Sequence, residues 1–202
     1  MTRGRRPEHS RENILEKGAE LFARNGYNAT GLKEILETCE VSKGSFYNFF
    51  ENKEQFAVEI INHHKSIEFA RWEEQMAALT GTYLSKIQWM INDEIRKYEE
   101  DLDCTGCLLA NLTGEVSQAS PLFSAAIRAS SQEVLSSIEE DMQICQDEGT
   151  VRKDLSAREI AEMIWNGWQG ALLQLKVERS AEPLRRHVTT LFKLIEAPDP
   201  KG

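Results

Sequence analysis

Apolar residues recur three or four positions apart along most of the chain, which is the spacing of amphipathic helices. The first such segment runs from Ser10 to Asn25, and Gly26 supplies a stop signal. Its predicted inward face is formed by Ile14, Leu15, Ala19 and Phe22.

Two shorter helices and a long one are predicted next. Thr30 is a suitable N-cap for a helix carrying Leu32, Ile35 and Leu36, and Ser42 caps another that reaches about Asn48. Asn52 opens a long helix towards Trp72, with Gln55 at the capping-box position.

The second half of the chain continues the helical spacing, and no strict apolar–polar alternation indicates a strand. We therefore predict an all-α fold of about nine helices. The remaining breaks and starts are marked by Gly81, a short apolar segment over 107–116, Ser120 with Pro121, Ser156 with Glu159, and Ser180.

Charge is unevenly distributed along the 202 residues, whose net charge is −9. Residues 1–50 hold eight Lys and Arg against seven Asp and Glu, whereas residues 51–202 hold sixteen against twenty-six. This asymmetry predicts two roles. We expect a DNA-binding domain over 1–52 and an effector-binding and dimerisation domain over 53–202, with the boundary inside the fourth helix.

The remaining composition indicates a cytoplasmic protein that does not cross a membrane. The basic N-terminus is not followed by an apolar run, and no stretch approaches the length of a membrane span. Four cysteines are too few for a disulfide scaffold, so we expect a reducing environment.

Two short helices that follow a longer one are the parts of a helix-turn-helix module, whose second helix enters the major groove of DNA. Here that helix would be residues 42–48. Lys43 can reach a base edge or a phosphate, Gly44 and Ser45 allow a close backbone approach, and Ser42, Tyr47 and Lys53 can donate to phosphates. Thr30 would lie at a helix N-terminus that favours an anion. A packing motif of similar pattern is the alternative.

Residues 10–56 resemble the N-terminal domain of the TetR (tetracycline repressor) family. The resemblance rests on Ile14, Ala19, Leu21, Phe22, Gly26, Tyr27, Thr30, Ile35, the run Val41 to Tyr47, Phe50, Lys53 and Glu54. Glu40 stands where glycine is frequent in the turn, and Phe49 stands where tyrosine or histidine is common.

The resemblance implies an all-helical homodimer that binds a palindromic operator and is released by a small molecule. Arg3, Arg5 and Arg6 would form a basic arm on DNA; surface residues without contact are the alternative for this arm. Matching by position, the other DNA-contacting residues are Thr30, Ser42, Lys43, Gly44, Ser45, Tyr47, Asn48 and Lys53.

The acidic part of the chain shows no catalytic or cofactor motif, so we predict neither an enzyme nor a cofactor. The run Gly106-Cys107-Leu108-Leu109-Ala110-Asn111 resembles a TetR subgroup that includes regulators responding to electrophiles or oxidants. Cys104 and Cys107 are therefore candidate redox residues. Plain packing of Cys107 and a zinc site remain alternatives, although zinc lacks a matching second ligand pair, and no metal site is predicted.

A polar group on an apolar helix face indicates an effector pocket, with core packing of the aromatic residues as the alternative. Asn111 and Glu115 are four apart and share a face. The full predicted set is Trp89, Tyr98, Cys107, Asn111, Glu115, Phe123, Trp165, Trp168 and Gln169.

The last two helices are predicted to form a four-helix dimer interface, with core packing as the competing use. The residues assigned to it are Trp168, Leu172, Leu175, Leu184, Val188, Leu191 and Ile195. The resulting hypothesis is a ligand- or redox-responsive repressor. The alternatives are an activator, or a DNA-binding regulator that acts through a protein partner without a functional pocket.

Overall fold

The structure is a computed structural model, which describes residues 10–100, 108–116 and 120–198. Within those residues it contains nine helices and one isolated antiparallel bridge, between Val151 and Glu196. This confirms the predicted all-α fold. The helices are α1 (Arg11–Asn25), α2 (Leu32–Thr38), α3 (Lys43–Phe49), α4 (Lys53–Ala78), α5 (Tyr83–Glu100), α6 (Leu108–Val116), α7 (Pro121–Asp147), α8 (Ala157–Glu178) and α9 (Glu182–Ile195).

Several helix ends form as their cap residues predict. The Ser42 hydroxyl accepts from the Ser45 amide at 3.0 Å, and Asn52 accepts from the Gln55 amide at 2.8 Å. Ser156 and Glu159 make the complete reciprocal capping box at the start of α8. Gly26 ends α1 with a φ of +79°, a conformation that glycine adopts without steric cost.

Two predicted caps are corrected by the structure. Helix α2 takes Gly31 as its N-cap and not Thr30, because the Thr30 hydroxyl donates backwards to the Gly26 carbonyl at 2.6 Å. Helix α9 takes Ala181 and not Ser180, whose hydroxyl accepts from the Glu182 amide at 3.2 Å.

The helices pack as two compact units that do not follow chain order. One unit holds α1–α3, α4 as far as Ala70, α6, and α7 as far as Ser130. Its core contains the rings of Phe22, Phe46, Phe50 and Phe56, which pack at tilted and edge-to-face angles, together with apolar residues of α6. Helix α6 therefore packs with the helix-turn-helix elements, and a functional boundary at residue 52 remains a prediction.

The other unit holds α4 from Arg71, α5, α7 from Ser131, α8 and α9. Buried leucines of α8 and α9 are a main part of its core. The two helices approach closely at Gly167, where an added Cβ would lie 2.1 Å from the His187 imidazole. Glycine at 167 is therefore required by packing.

Candidate DNA-binding site

Helix α3 presents one polar face and buries the other. Phe46 and the following Phe50 are buried against Phe56, with ring centroids 5.2 Å and 4.7 Å from it. The opposite face exposes the predicted DNA-contacting residues Lys43, Gly44, Tyr47 and Asn48, and the Tyr47 side chain is 46% exposed. The packing that anchors α3 thus leaves a contiguous polar surface available to DNA.

Gly44 has no internal reason to be glycine. An added Cβ would meet only the Ser42 hydroxyl, at 4.0 Å, and Gly44 is exposed. Ser42 is exposed beside it, and Ser45 is half-buried with its hydroxyl 2.9 Å from that of Ser42. The absence of a side chain at 44 therefore favours close approach by an external partner.

Thr30 and Lys53, both predicted to face phosphates, make internal bonds in this structure. Thr30 is completely buried, and its hydroxyl is committed to the Gly26 carbonyl. The Lys53 ammonium donates to the Tyr27 carbonyl at 2.6 Å and lies 3.9 Å from the centre of the Tyr27 ring. Burial lowers the pKa of Lys53, and the nearby Glu115 carboxylate opposes that shift. Both residues hold the loop between α1 and α2.

Three residues predicted for the effector pocket contact the same loop or the end of α1 that precedes it. The Glu115 carboxylate of α6 accepts from the amides of Tyr27 and Asn28, at 2.8 Å and 2.5 Å. The Asn111 side chain donates to the Ala23 carbonyl at 3.5 Å, and the Phe123 ring packs edge-on against Tyr27 at 4.9 Å. The spacing of Asn111 and Glu115 predicts that they share one face of a helix. It does not predict that this face contacts α1 and the loop that follows it.

Of the other predicted effector residues, Cys107 lies outside the described residues, and the rest belong to the second unit. Tyr98 is buried with its ring 6.5 Å from that of Trp168, and Trp165 and Gln169 are half-buried on α8. Trp89 is 50% exposed on α5 and does not share their burial. Among the described residues, no cluster of His, Cys, Asp and Glu has the arrangement of a metal site.

The cysteines fall into two groups. Cys39 and Cys145 are buried thiols, and burial raises their pKa values to about 11 and about 12. Thiols with such pKa values are poor nucleophiles near neutral pH. The candidate redox residues Cys104 and Cys107 lie outside the described residues, as do Arg3, Arg5 and Arg6 of the predicted arm.

Most residues assigned to the dimer interface lie within the chain's own core. All of them except the half-buried Trp168 are buried within the single chain, which favours the competing use in the core. The apolar residues that α8 and α9 do expose are Met163, Leu173, Val177 and Leu194.

The described helices include none with the length and apolar character required to cross a membrane.

Comparison with known proteins gives matches along most of the chain. Residues 14–60 match the family described as bacterial regulatory proteins, tetR family, and residues 84–191 match the tetracyclin repressor-like C-terminal domain. The chain is 29% identical over 192 residues to the HTH-type transcriptional repressor DhaR of Mycobacterium sp. strain GP1, covering 92% of this chain and 91% of that protein. It is 30% identical over 188 residues to the transcriptional regulator AcuR of Cereibacter sphaeroides, covering 89% and 82%.

The fold is also similar to that of a solved structure, the reduced form of NemR from Escherichia coli. The TM-score is 0.85 at 28% identity, covering 94% of this chain and 98% of the other. The C-terminal family match alone spans more than half of the chain. These findings agree with the prediction that the protein is a regulator and not an enzyme. The chain belongs to the TetR family of DNA-binding transcriptional regulators.

Proposed function

We propose that this protein is a homodimeric repressor that binds a palindromic operator and is released by a small-molecule effector or by modification of a thiol. The observation that carries the proposal is the exposed face of α3, where Lys43, Tyr47 and Asn48 surround a glycine that internal packing does not need. Such a face supports base and phosphate contacts in the major groove. Its place of action would be the cytoplasm, where the operator lies.

The dimer surface is proposed on the exposed side of α8. Met163, Asn166, Gly170, Leu173 and Val177 are all exposed and lie alternately three and four positions apart, which is the spacing of a helix–helix seam. Val177 is 77% exposed and Leu173 57%, and Gly170 leaves room for close approach because an added Cβ would meet nothing within 4 Å. A symmetric contact between two copies of the chain would bury these exposed side chains, which supports placing the dimer surface here.

Release requires that the effector bind the two states of the repressor unequally. A hundredfold loss of operator affinity corresponds to about 2.7 kcal/mol of coupling, within the usual allosteric range. The relative NemR has a structure that is described as its reduced form. This description supports a test of thiol modification here, for which Cys104 and Cys107 are the candidates because the two described thiols are buried.

The test is binding of the purified protein to DNA from upstream of its own gene, before and after treatment with a quinone and again after adding a reductant. Loss of binding that the reductant reverses is expected for a thiol switch, and Cys107→Ser should abolish the loss. Cys39→Ser is the matched control, because that thiol is buried with a raised pKa.

Binding that is tight but indifferent to the quinone would reject the thiol switch. A screen for non-covalent ligands that weaken binding would then decide whether an effector exists. DNA binding without a response to any ligand would contradict effector release and favour action through a protein partner.

A further inference from the structure

The loop between α1 and α2 is held between opposite charges from two other helices. On its amide side, both oxygens of the Glu115 carboxylate accept backbone N–H groups, those of Tyr27 and Asn28. On its carbonyl side, the Lys53 ammonium donates to the Tyr27 carbonyl oxygen and lies over the face of the Tyr27 ring. Charge-assisted hydrogen bonds of this kind are about twice as strong as neutral ones.

The local sequence is shaped around the carboxylate. A Cβ added to Gly26 would lie 2.7 Å from a Glu115 oxygen, and Gly26 has a φ of +79°. The glycine therefore provides both the turn and the space in which the Glu115 side chain lies. Thr30 then closes the loop on the Gly26 carbonyl one residue before the N-cap of α2.

Tyr27 connects the loop to its surroundings. Its amide contacts α6, its carbonyl contacts α4, and its ring packs against Phe22 of α1 at 5.6 Å and Phe123 of α7 at 4.9 Å. A movement of α6 therefore acts directly on the chain segment that leads into the helix-turn-helix.

We propose that Glu115 is the positioning residue that couples α6 to the DNA-binding helices, by a direct bond to the α1–α2 loop and not by way of α4. The state of α6 then sets the position of α2 and α3. By thermodynamic reciprocity, DNA bound on α3 must change the behaviour of α6. The inference rests on the proposed DNA-binding function.

The experiment uses this reciprocity and needs no effector. Amide hydrogen exchange is measured over α6 and over residues 26–31 in the full-length protein, with and without a duplex from upstream of its gene. In the wild type we expect DNA to slow exchange in α6 by about fivefold or more, the lower end of typical coupling. Glu115→Gln should still bind the duplex, with affinity lowered by no more than about tenfold, but DNA should no longer affect α6.

Glu37→Gln is the matched control, because it removes the same charge from an exposed site on α2, where the Glu37 carboxylate pairs with Lys33 at 3.7 Å. It should leave the α6 response intact. Lys53→Met should also leave it intact when measured at a duplex concentration that saturates the variant, because the carboxylate still holds both amides; saturation is needed because Lys53 is itself a predicted phosphate contact. If Glu115→Gln does not fold, Glu115→Asp keeps the charge but is one methylene shorter, and it is expected to lose the response as well.

A Glu115→Gln protein whose α6 still responds to DNA would overturn the proposal. So would loss of the response in Lys53→Met but not in Glu115→Gln, because the coupling would then run through α4. A wild type that binds DNA without any change in α6 would also overturn it. A wild type that binds no upstream DNA would contradict the proposed function itself, and the inference would fall with it.

Discussion

At residue 40, the turn of the helix-turn-helix places a glutamate in a backbone conformation that suits glycine. Glu40 has a φ of +56°, and left-handed backbone costs a residue with a Cβ about 1–2 kcal/mol. Its carboxylate pairs with Lys17 at 2.7 Å, but it is largely exposed and such pairs contribute little. The turn geometry typical of this module therefore persists although the usual residue does not.

Glu40→Gly should raise the free energy of unfolding by about 0.5–1 kcal/mol, because relief of the backbone strain exceeds the loss of an exposed ion pair. Urea unfolding of both proteins measures the difference. Glu37→Gly is the control, because residue 37 is helical and the change should cost about 1 kcal/mol there. Destabilisation by both changes would show that the turn is not strained.

Gly44→Ala should separate stability from DNA binding. The helix gains about 0.5–1 kcal/mol, because an added methyl meets no internal atom closer than 4.0 Å. Affinity for the operator should fall about tenfold or more, because the methyl lies on the face that approaches the bases. Thermal unfolding and a gel-shift titration measure the two effects.

Gly114→Ala controls for that helix effect, since Gly114 in α6 is also exposed with nothing near an added Cβ. It should stabilise the helix without weakening DNA binding. Equal operator affinity in Gly44→Ala and the wild type would mean that α3 does not approach DNA at residue 44.

At the scale of the elements, close approaches between helices depend on single glycines. Helix α1 contacts α4 at Gly18, where an added Cβ would lie 2.4 Å from the Phe56 ring and 2.7 Å from Ile60. Both neighbours are completely buried, so neither can move aside without disturbing the aromatic core.

Gly18→Ala is therefore expected to destabilise the protein by about 1–3 kcal/mol, because overpacking exceeds the gain in helix propensity. Differential scanning calorimetry gives the change in Tm, again with Gly114→Ala as reference. An unchanged or higher Tm would show that α1 and α4 are farther apart than described.

The contact between α8 and α9 should make stability depend on pH. Burial lowers the pKa of His187, whose Nε2 is buried without a hydrogen-bond partner. Below about pH 6.5 the unfolded chain binds a proton that the folded chain does not yet bind, so the free energy of unfolding falls as the pH decreases through this range. His187→Leu should remove this part of the slope below about pH 6.5 in urea-unfolding titrations. If the free energy of unfolding of His187→Leu depended on pH as steeply as that of the wild type, His187 would not be the source of the pH dependence.

The sequence predicts interactions between residues that are close together in the chain. The caps at Ser42, Asn52 and Ser156 form because each side chain bonds an amide three residues later. The contact between Glu115 and Tyr27 spans 88 positions, and no local pattern indicates it. For the same reason Lys53, which looks like a free cation in the sequence, bonds to a carbonyl 26 residues away.

At the scale of the whole molecule, the sequence did not distinguish the inner apolar face of α8 from its outer one. Leu172 and Leu175 carry the helical spacing into the core, whereas Leu173 and Val177 expose a second apolar face. Periodicity alone shows that both faces are apolar, and only the packed chain shows which of them remains uncovered. The proposed dimer surface follows from that difference.

Val177→Glu should convert the dimer to a monomer, because it introduces a charge into the proposed seam between two apolar surfaces. The single chain should stay folded, since Val177 is 77% exposed. Sedimentation velocity measures the mass. Arg179→Glu, at an exposed position just beyond the seam, is the control that should remain dimeric. A Val177→Glu protein that still sediments as a dimer would place the interface elsewhere.

The central claim is that the exposed face of α3 reads a specific DNA sequence. Its most direct test is footprinting of the wild type on DNA from upstream of its gene, with a scrambled duplex of equal composition as competitor. We expect protection of two symmetric half-sites and a preference of about a thousandfold or more over the scrambled duplex. Equal affinity for both duplexes, or half-maximal protection at the same protein concentration in the wild type and in Gly44→Ala, would contradict it.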